Sequence, residues 1–177
     1  MIDYIVKILN DITEDMNQES ATPDVHHLFY ISEDATKLSQ DDADLFHLFL
    51  AQLIYLSHRA RPEIQIAVSF LCTRVRGSDT DDCKNMVRLM KYIQWTIGLP
   101  LILSIKKSGN IKRYIYAEFS VNQYMRSHTG GFMTTVTVGA YVQSSKQKLN
   151  IKSSNEAEIF GVDDVISQVI WTQFLLK

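Results

Sequence analysis

The sequence predicts an α+β chain, with helices to about residue 100 followed by a β-β-β-α unit. Three observations carry this. Apolar residues recur at helical spacing in successive stretches before Gly98. Between residues 111 and 145 they alternate instead, as in half-buried strands. After residue 152 the helical period returns behind a capping signature, SSNE.

The first helix is expected over Ile2 to Ile12, followed by a loop with Thr22-Pro23 and His26-His27 that runs to about Asp41. DDADLFHLFLAQLIYLSH then places Phe46, Phe49, Leu50, Leu53, Ile54 and Ser57 on one helical face. The acids in its first turn suit the helix dipole. In RPEIQIAVSFLCTRV, Pro62 fits a first helical position. Ile64, Ala67, Val68, Leu71, Cys72 and Val75 form the stripe, and Gly77-Ser78-Asp79 stops it. Residues 81–96 predict a helix with Met86, Val87, Met90 and Ile93 inward, closed by Gly98-Leu99-Pro100.

The character changes at about residue 100. LPLILSI is strand-like and Lys107 to Asn110 reads as a turn. Three strands are expected at 111–121, 131–138 and 140–145, joined by RSHTGG and by Gly139. In the first, Ile115, Ala117, Phe119 and Val121 share one face, and Tyr114, Tyr116 and Glu118 the other. The last helix begins at SSNE, where Ser153 with Glu156 and Asn155 with Glu158 both have capping-box spacing. Its inward stripe is expected to be Val162, Val165, Ile166, Val169 and Ile170.

An apolar fraction of 46 % over 177 residues is that of a folded chain. No apolar run approaches the roughly 20 residues of a membrane span; the longest, LFHLFLAQLIYL, is broken by His47 and Gln52. The N-terminus carries Asp3 and lacks the basic region and cleavage site of a secretory signal, which predicts an intracellular chain without a membrane partner. Cys72 and Cys83 fit no zinc or redox spacing and are expected as free thiols, which points to a reducing compartment.

The net charge of −2 conceals an asymmetry. Residues 1–50 hold eleven acids against Lys7 and Lys37, whereas residues 106–155 hold eight bases against Glu118 alone. A basic half suits a polyanion, and it also suits an unevenly charged solvated surface.

Several segments, in order, carry a resemblance. YIVKILNDI followed by TP, YLSHRARPEIQIAVSFLCTRV, LMKYIQWTIGLPL, RSHTGGFM and SSKQKLNIKSSNEAEIFGVDD together resemble the Pol polyprotein of copia-type retrotransposons along nearly the whole chain. The last two, resembling "R-S-T-T-G-Y" and "S-K-K-Q…SSTEAE", are the specific ones. The resemblance implies that residues 1–104 correspond to the thumb and connection region ending a reverse transcriptase. It implies that residues 105–177 correspond to the first part of a ribonuclease H domain. The intact parent would process RNA–DNA hybrids with Mg²⁺ held by several carboxylates. The partners implied are RNA–DNA hybrid or single-stranded nucleic acid and the rest of the polyprotein.

Carried over residue by residue, the family's first ligand, an Asp in "D-A-D", falls on Tyr116, a neutral phenol and a poor ligand for a hard cation. Glu118 lies two residues on, roughly 6.6 Å along the strand, too far to stand in where two metals are about 3.5–4 Å apart. It reads instead as an exposed strand residue paired with a nearby Lys. The second ligand, the last Glu of "T-E-A-E", is intact as Glu158, which also fits a first-turn acid favoured by the helix dipole. The family's remaining ligands have no counterpart up to Lys177, and Asp163-Asp164 read as a solvated pair on the helix's outer side. The expectation is a chain that lacks both activities by itself and binds no Mg²⁺, with strand 111–121 left as an aromatic-rich edge. The alternative is a non-catalytic nucleic-acid-binding module using Arg126, Lys146 and Lys152, with Tyr114 and Tyr116 as stacking or packing residues. The five histidines match no metal-ligand spacing, and Gly130-Gly131 reads as a hairpin turn.

Overall fold

A computed structural model describes residues 1–12, 14–26, 28–32, 34–102, 111–134 and 139–175. His27, residues 103–105 of the expected LPLILSI strand, the turn at Lys107 to Asn110, residues 135–138 and Lys177 lie outside them. The fold is α+β, helices first and strands after. The chain divides into two compact units, Met1–Leu101 and Ile102–Lys177.

The first unit contains α1 (Ile2–Asn10), α2 (Gln40–Arg59), α3 (Gln65–Arg74) and α4 (Thr80–Trp95). The last three start where the sequence supplies a cap or a fixed φ. Ser39 caps α2 by accepting from the Asp42 amide at 3.2 Å. Pro62 opens a single 3₁₀ turn, Pro62–Ile64, that feeds α3. Asp79 and Asp82 form a reciprocal capping box at α4. The core joins Ile5 and Ile8 of α1, Phe46, Leu50 and Leu53 of α2, Val68 and Leu71 of α3, and Met90 and Ile93 of α4. On α2 Phe46, Phe49, Leu50, Leu53 and Ser57 are buried as expected; Leu56 is buried in place of Ile54, which is exposed.

Two buried arginines fasten this unit. Arg61 donates to Thr96 O at 3.1 Å, to the Thr96 hydroxyl and to Glu63, and it lies over the Tyr92 ring. Arg74 bridges both oxygens of Asp82 and reaches Asp79 at 2.8 Å. Each ion is thereby paired where an unpaired one would cost several kcal/mol. Burial pushes the Asp82 carboxyl up, with Arg74 opposing it.

The second unit contains β1 (Lys112–Asn122), β2 (Arg126–Thr134), β3 (Gly139–Lys146) and α5 (Ser154–Leu175). The sheet is antiparallel in the order β1-β2-β3. Two expectations are corrected here. RSHTGG is not a turn; it lies within β2, with Gly130 opposite Tyr116 and Gly131 opposite Ile115. The turn is the single helical turn Gln123–Met125, where Tyr124 and Met125 take left-handed φ values of 59° and 58°. Glycine serves a close approach instead. A Cβ on Gly131 would stand 3.3 Å from Val165, and one on Gly161 would stand 3.3 Å from Ala117 Cβ. The described residues of LPLILSI, 99–102, are not in a strand.

The second correction concerns α5. It packs on the Ile115 and Ala117 face of the sheet through Ala157, Gly161 and Val165, with Thr172 continuing the line. Of the expected stripe only Val165 is buried; Val162, Ile166 and Ile170 are exposed. Small residues four apart let the helix axis come close to the sheet, and that decides which face docks.

Candidate functional site

The strand alternation separates the residues singled out from the sequence. Ala117 is buried against Ala157 of α5, so Tyr116 and Glu118 project from the opposite face of the sheet. Tyr116 is 67 % exposed. Glu158 is exposed on the first turns of α5, on the other side of the sheet from Tyr116 and Glu118. Among the described residues no group of three or more His, Cys, Asp or Glu converges on a metal position. The described residues therefore do not bring together the carboxylates that a Mg²⁺ pair needs.

The start of α5 shows why Glu156 and Glu158 differ. Ser153 Oγ accepts from the Glu156 amide at 3.2 Å, and Glu156 Oε2 accepts from the Lys152 amide at 2.7 Å. Glu156 is thus spent on capping.

Arg126 is committed to the backbone: its guanidinium donates to the carbonyls of Gln147 and Lys148 and holds the chain leaving β3. Lys146 sits opposite His128 on β3 and is partly buried. Lys152 is exposed, and so are Lys112 and Lys148, which were not singled out from the sequence. Nothing but charge marked those two, and exposure is a tertiary property.

Three further residues were missed. Gln147 is buried and donates through Nε2 to Thr129 Oγ1 and Ala157 O, both at 2.9 Å. Thr129 in turn donates to Asp164 Oδ2 at 2.9 Å. Asp164 is exposed, as expected of a solvated pair, yet its Oδ2 reaches Thr129 on the sheet, a contact that reading did not contain. Its spacing of three from Gly161 and seven from Ala157 was the available signal. This network ties β2, the chain after β3 and α5 together through the segment that reads SSKQ.

His128 is buried on β2. Asn122 Nδ2 faces its Nδ1 at 3.5 Å, and its Nε2 meets Ser144 Oγ at 2.6 Å. With Nδ1 accepting, Nε2–H donates to Ser144, so the ring is not placed to take the serine proton. Burial lowers its pKa to about 4. The sequence placed Ser127 and His128 side by side, but the contact lies across strands, with Ser144.

In the first unit an open groove of about 580 Å³ is lined by Glu14, Glu19 and Asp42 together with Lys84, Arg88 and Lys91. Charges of both signs share it, so it offers no surface of one sign. Cys72 and Cys83 are free, and burial raises both thiols, Cys72 to about 11. That makes them poor nucleophiles.

The chain is similar to an uncharacterized mitochondrial protein of Arabidopsis thaliana, at 24 % identity over 132 residues. The similarity covers 74 % of this chain and 55 % of that protein, so the chain spans about half the length of this curated relative. No family model matches the sequence. No solved structure matches it. No helix among the described residues is long and apolar enough to cross a membrane.

Proposed function

We propose that the chain is a fragment of a copia-type retrotransposon Pol polyprotein, spanning the end of a reverse transcriptase and the start of a ribonuclease H domain, and that it lacks hybrid-cleaving activity by itself. The observation that carries this reading is the run β1-β2-β3-α5. It supports the motif order by placing RSHTGG on β2, SSKQ at the end of β3 and SSNEAE at the start of α5. Within that run the position of the first metal-binding Asp holds Tyr116, facing away from α5, while Glu158 stands apart from it. One carboxylate alone cannot clamp the attacking and leaving oxygens of a phosphodiester.

The test is incubation of the chain with a labelled RNA–DNA hybrid and Mg²⁺ or Mn²⁺. The expected result is no cleavage above a protein-free control. Cleavage that disappears in Glu158→Gln would overturn the claim of inactivity and leave the ancestry standing.

A second reading, non-catalytic nucleic-acid binding, is favoured by the exposed Lys112, Lys148 and Lys152 on a unit whose residues 106–155 hold a single acid. It assigns phosphate contact to these lysines.

A further inference from the structure

The outer edge of β1 has no strand beside it among the described residues, because the sheet order places β1 at one end. The strand is regular from Lys112 to Glu118, paired residue for residue with β2. Beyond Glu118 the register shifts, and Ser120 takes a left-handed φ of 60°. A β-bulge of this kind ends flat pairing. The free edge available for pairing is therefore the seven residues KRYIYAE, whose centre is Ile115.

We propose that this edge pairs with the same edge of a second copy of this chain, antiparallel, about a two-fold axis at Ile115. The charges and aromatics of the segment select this partner. Full antiparallel overlap of Lys112–Glu118 with itself sets Lys112 of one copy opposite Glu118 of the other, twice. It sets Tyr114 opposite Tyr116, also twice. All four side chains belong to one face of the strand, and all four are exposed, Tyr114 at 57 % and Tyr116 at 67 %. The sole acid among residues 106–155 thus meets a base in each half of the pair. The tyrosines, which have little reason to face water on a strand, gain cross-strand aromatic contacts. A slip by two residues in either direction breaks both sets of pairs at once, and parallel pairing sets Lys112 against Lys112. The interface is isologous and closes at two copies. The inference does not depend on the retrotransposon reading.

A seven-residue ladder is small for an interface, so the dimer should dissociate on the order of tens of micromolar. Sedimentation equilibrium of the full chain should show this monomer–dimer exchange. Glu118→Lys sets one pair of cations opposite each other at each end of the ladder and should weaken it on the order of tenfold. Adding Lys112→Glu to that variant should restore it. The register is read by cross-linking: a mixture of Tyr114→Cys chains and Tyr116→Cys chains should form a disulfide-linked dimer on mild oxidation, since residues directly opposite have Cα atoms about 4.5–5.5 Å apart. Each variant oxidised by itself should not, because its two cysteines are offset by two residues; the native Cys72 and Cys83 are present in all three samples as the control. A chain that stays monomeric to roughly ten times the expected dissociation constant overturns the proposal. So does a dimer indifferent to Glu118→Lys, or one that cross-links equally in the unmixed samples.

Discussion

His128 shows how one buried ring makes stability depend on pH. The ordinary imidazole value is about 6.5, and burial takes it to about 4 in the folded chain. Below pH 6.5 the unfolded chain binds a proton that the folded one refuses. The contribution is therefore fully present above pH 6.5, falls as pH drops toward 4 and levels beyond that, to a total of about 3 kcal/mol. Urea midpoints measured at pH 7.5 and pH 4.5 should fall less in His128→Gln than in the native chain, because Gln can still donate to Ser144 but has no proton to gain. An equal fall in both would assign the pH dependence to other groups. The same residue marks the reach of sequence reasoning. That His128 follows Ser127 was plain; that it meets Ser144 and Asn122 depends on strand register, which a misplaced turn concealed.

The elements of the second unit turn on a helix with apolar residues on more than one side. Either the Gly161 and Val165 line or the Val162, Ile166 and Ile170 line could have been its packed face, and bulk alone favoured the latter. The sheet selects the former because Gly131 leaves room for Val165 and Gly161 lets the helix come close to Ala117. Gly131→Ala should therefore cost about 1–2 kcal/mol through the Cβ that meets Val165. Ile166→Gln, on the exposed side, should stay within about 0.5 kcal/mol of the native chain. In a double-mutant cycle Gly131→Ala and Val165→Ala should be non-additive, since truncating Val165 makes the space that the new methyl needs. Additive costs in denaturant unfolding would place the two residues out of contact. The cap at Ser153 was legible because a cap is a local interaction between residues two to four apart; Asp79, read as the stop of the preceding helix, proves to cap α4, and Ser39 caps α2. The turn at Gln123–Met125 was not legible, since it contains neither glycine nor proline.

At the scale of the whole molecule, charge is laid out along the chain, with acids concentrated in residues 1–50 and bases in residues 106–155. If the basic stretch holds nucleic acid, affinity for a single-stranded oligonucleotide should fall steeply between 50 and 200 mM salt. Fluorescence anisotropy of Lys148→Ala/Lys152→Ala should show a salt slope reduced by about 1–2. Absence of binding at the lowest salt would dispose of the binding reading. Arg126 is left out of that pair because its guanidinium already serves two backbone carbonyls, so its loss would loosen the end of β3.

The sequence by itself determined the α+β class, the cap of the last helix, most of the apolar faces of the first unit and the motif order from RSHTGG to SSNEAE. Each of these rests on local spacing, which a chain carries whether or not it is folded. It also determined that Tyr116 stands where the resemblance expects an acid. The tertiary structure alone decided that RSHTGG pairs as a strand, that α5 docks along Ala157, Gly161 and Val165, that Asp164 accepts from Thr129 and that Arg126 is held by backbone carbonyls. It alone set Tyr116 and Glu118 on one side of the sheet and Glu158 on the other. Each of those depends on which surfaces approach closely enough to exclude water, and no spacing within a single segment records that.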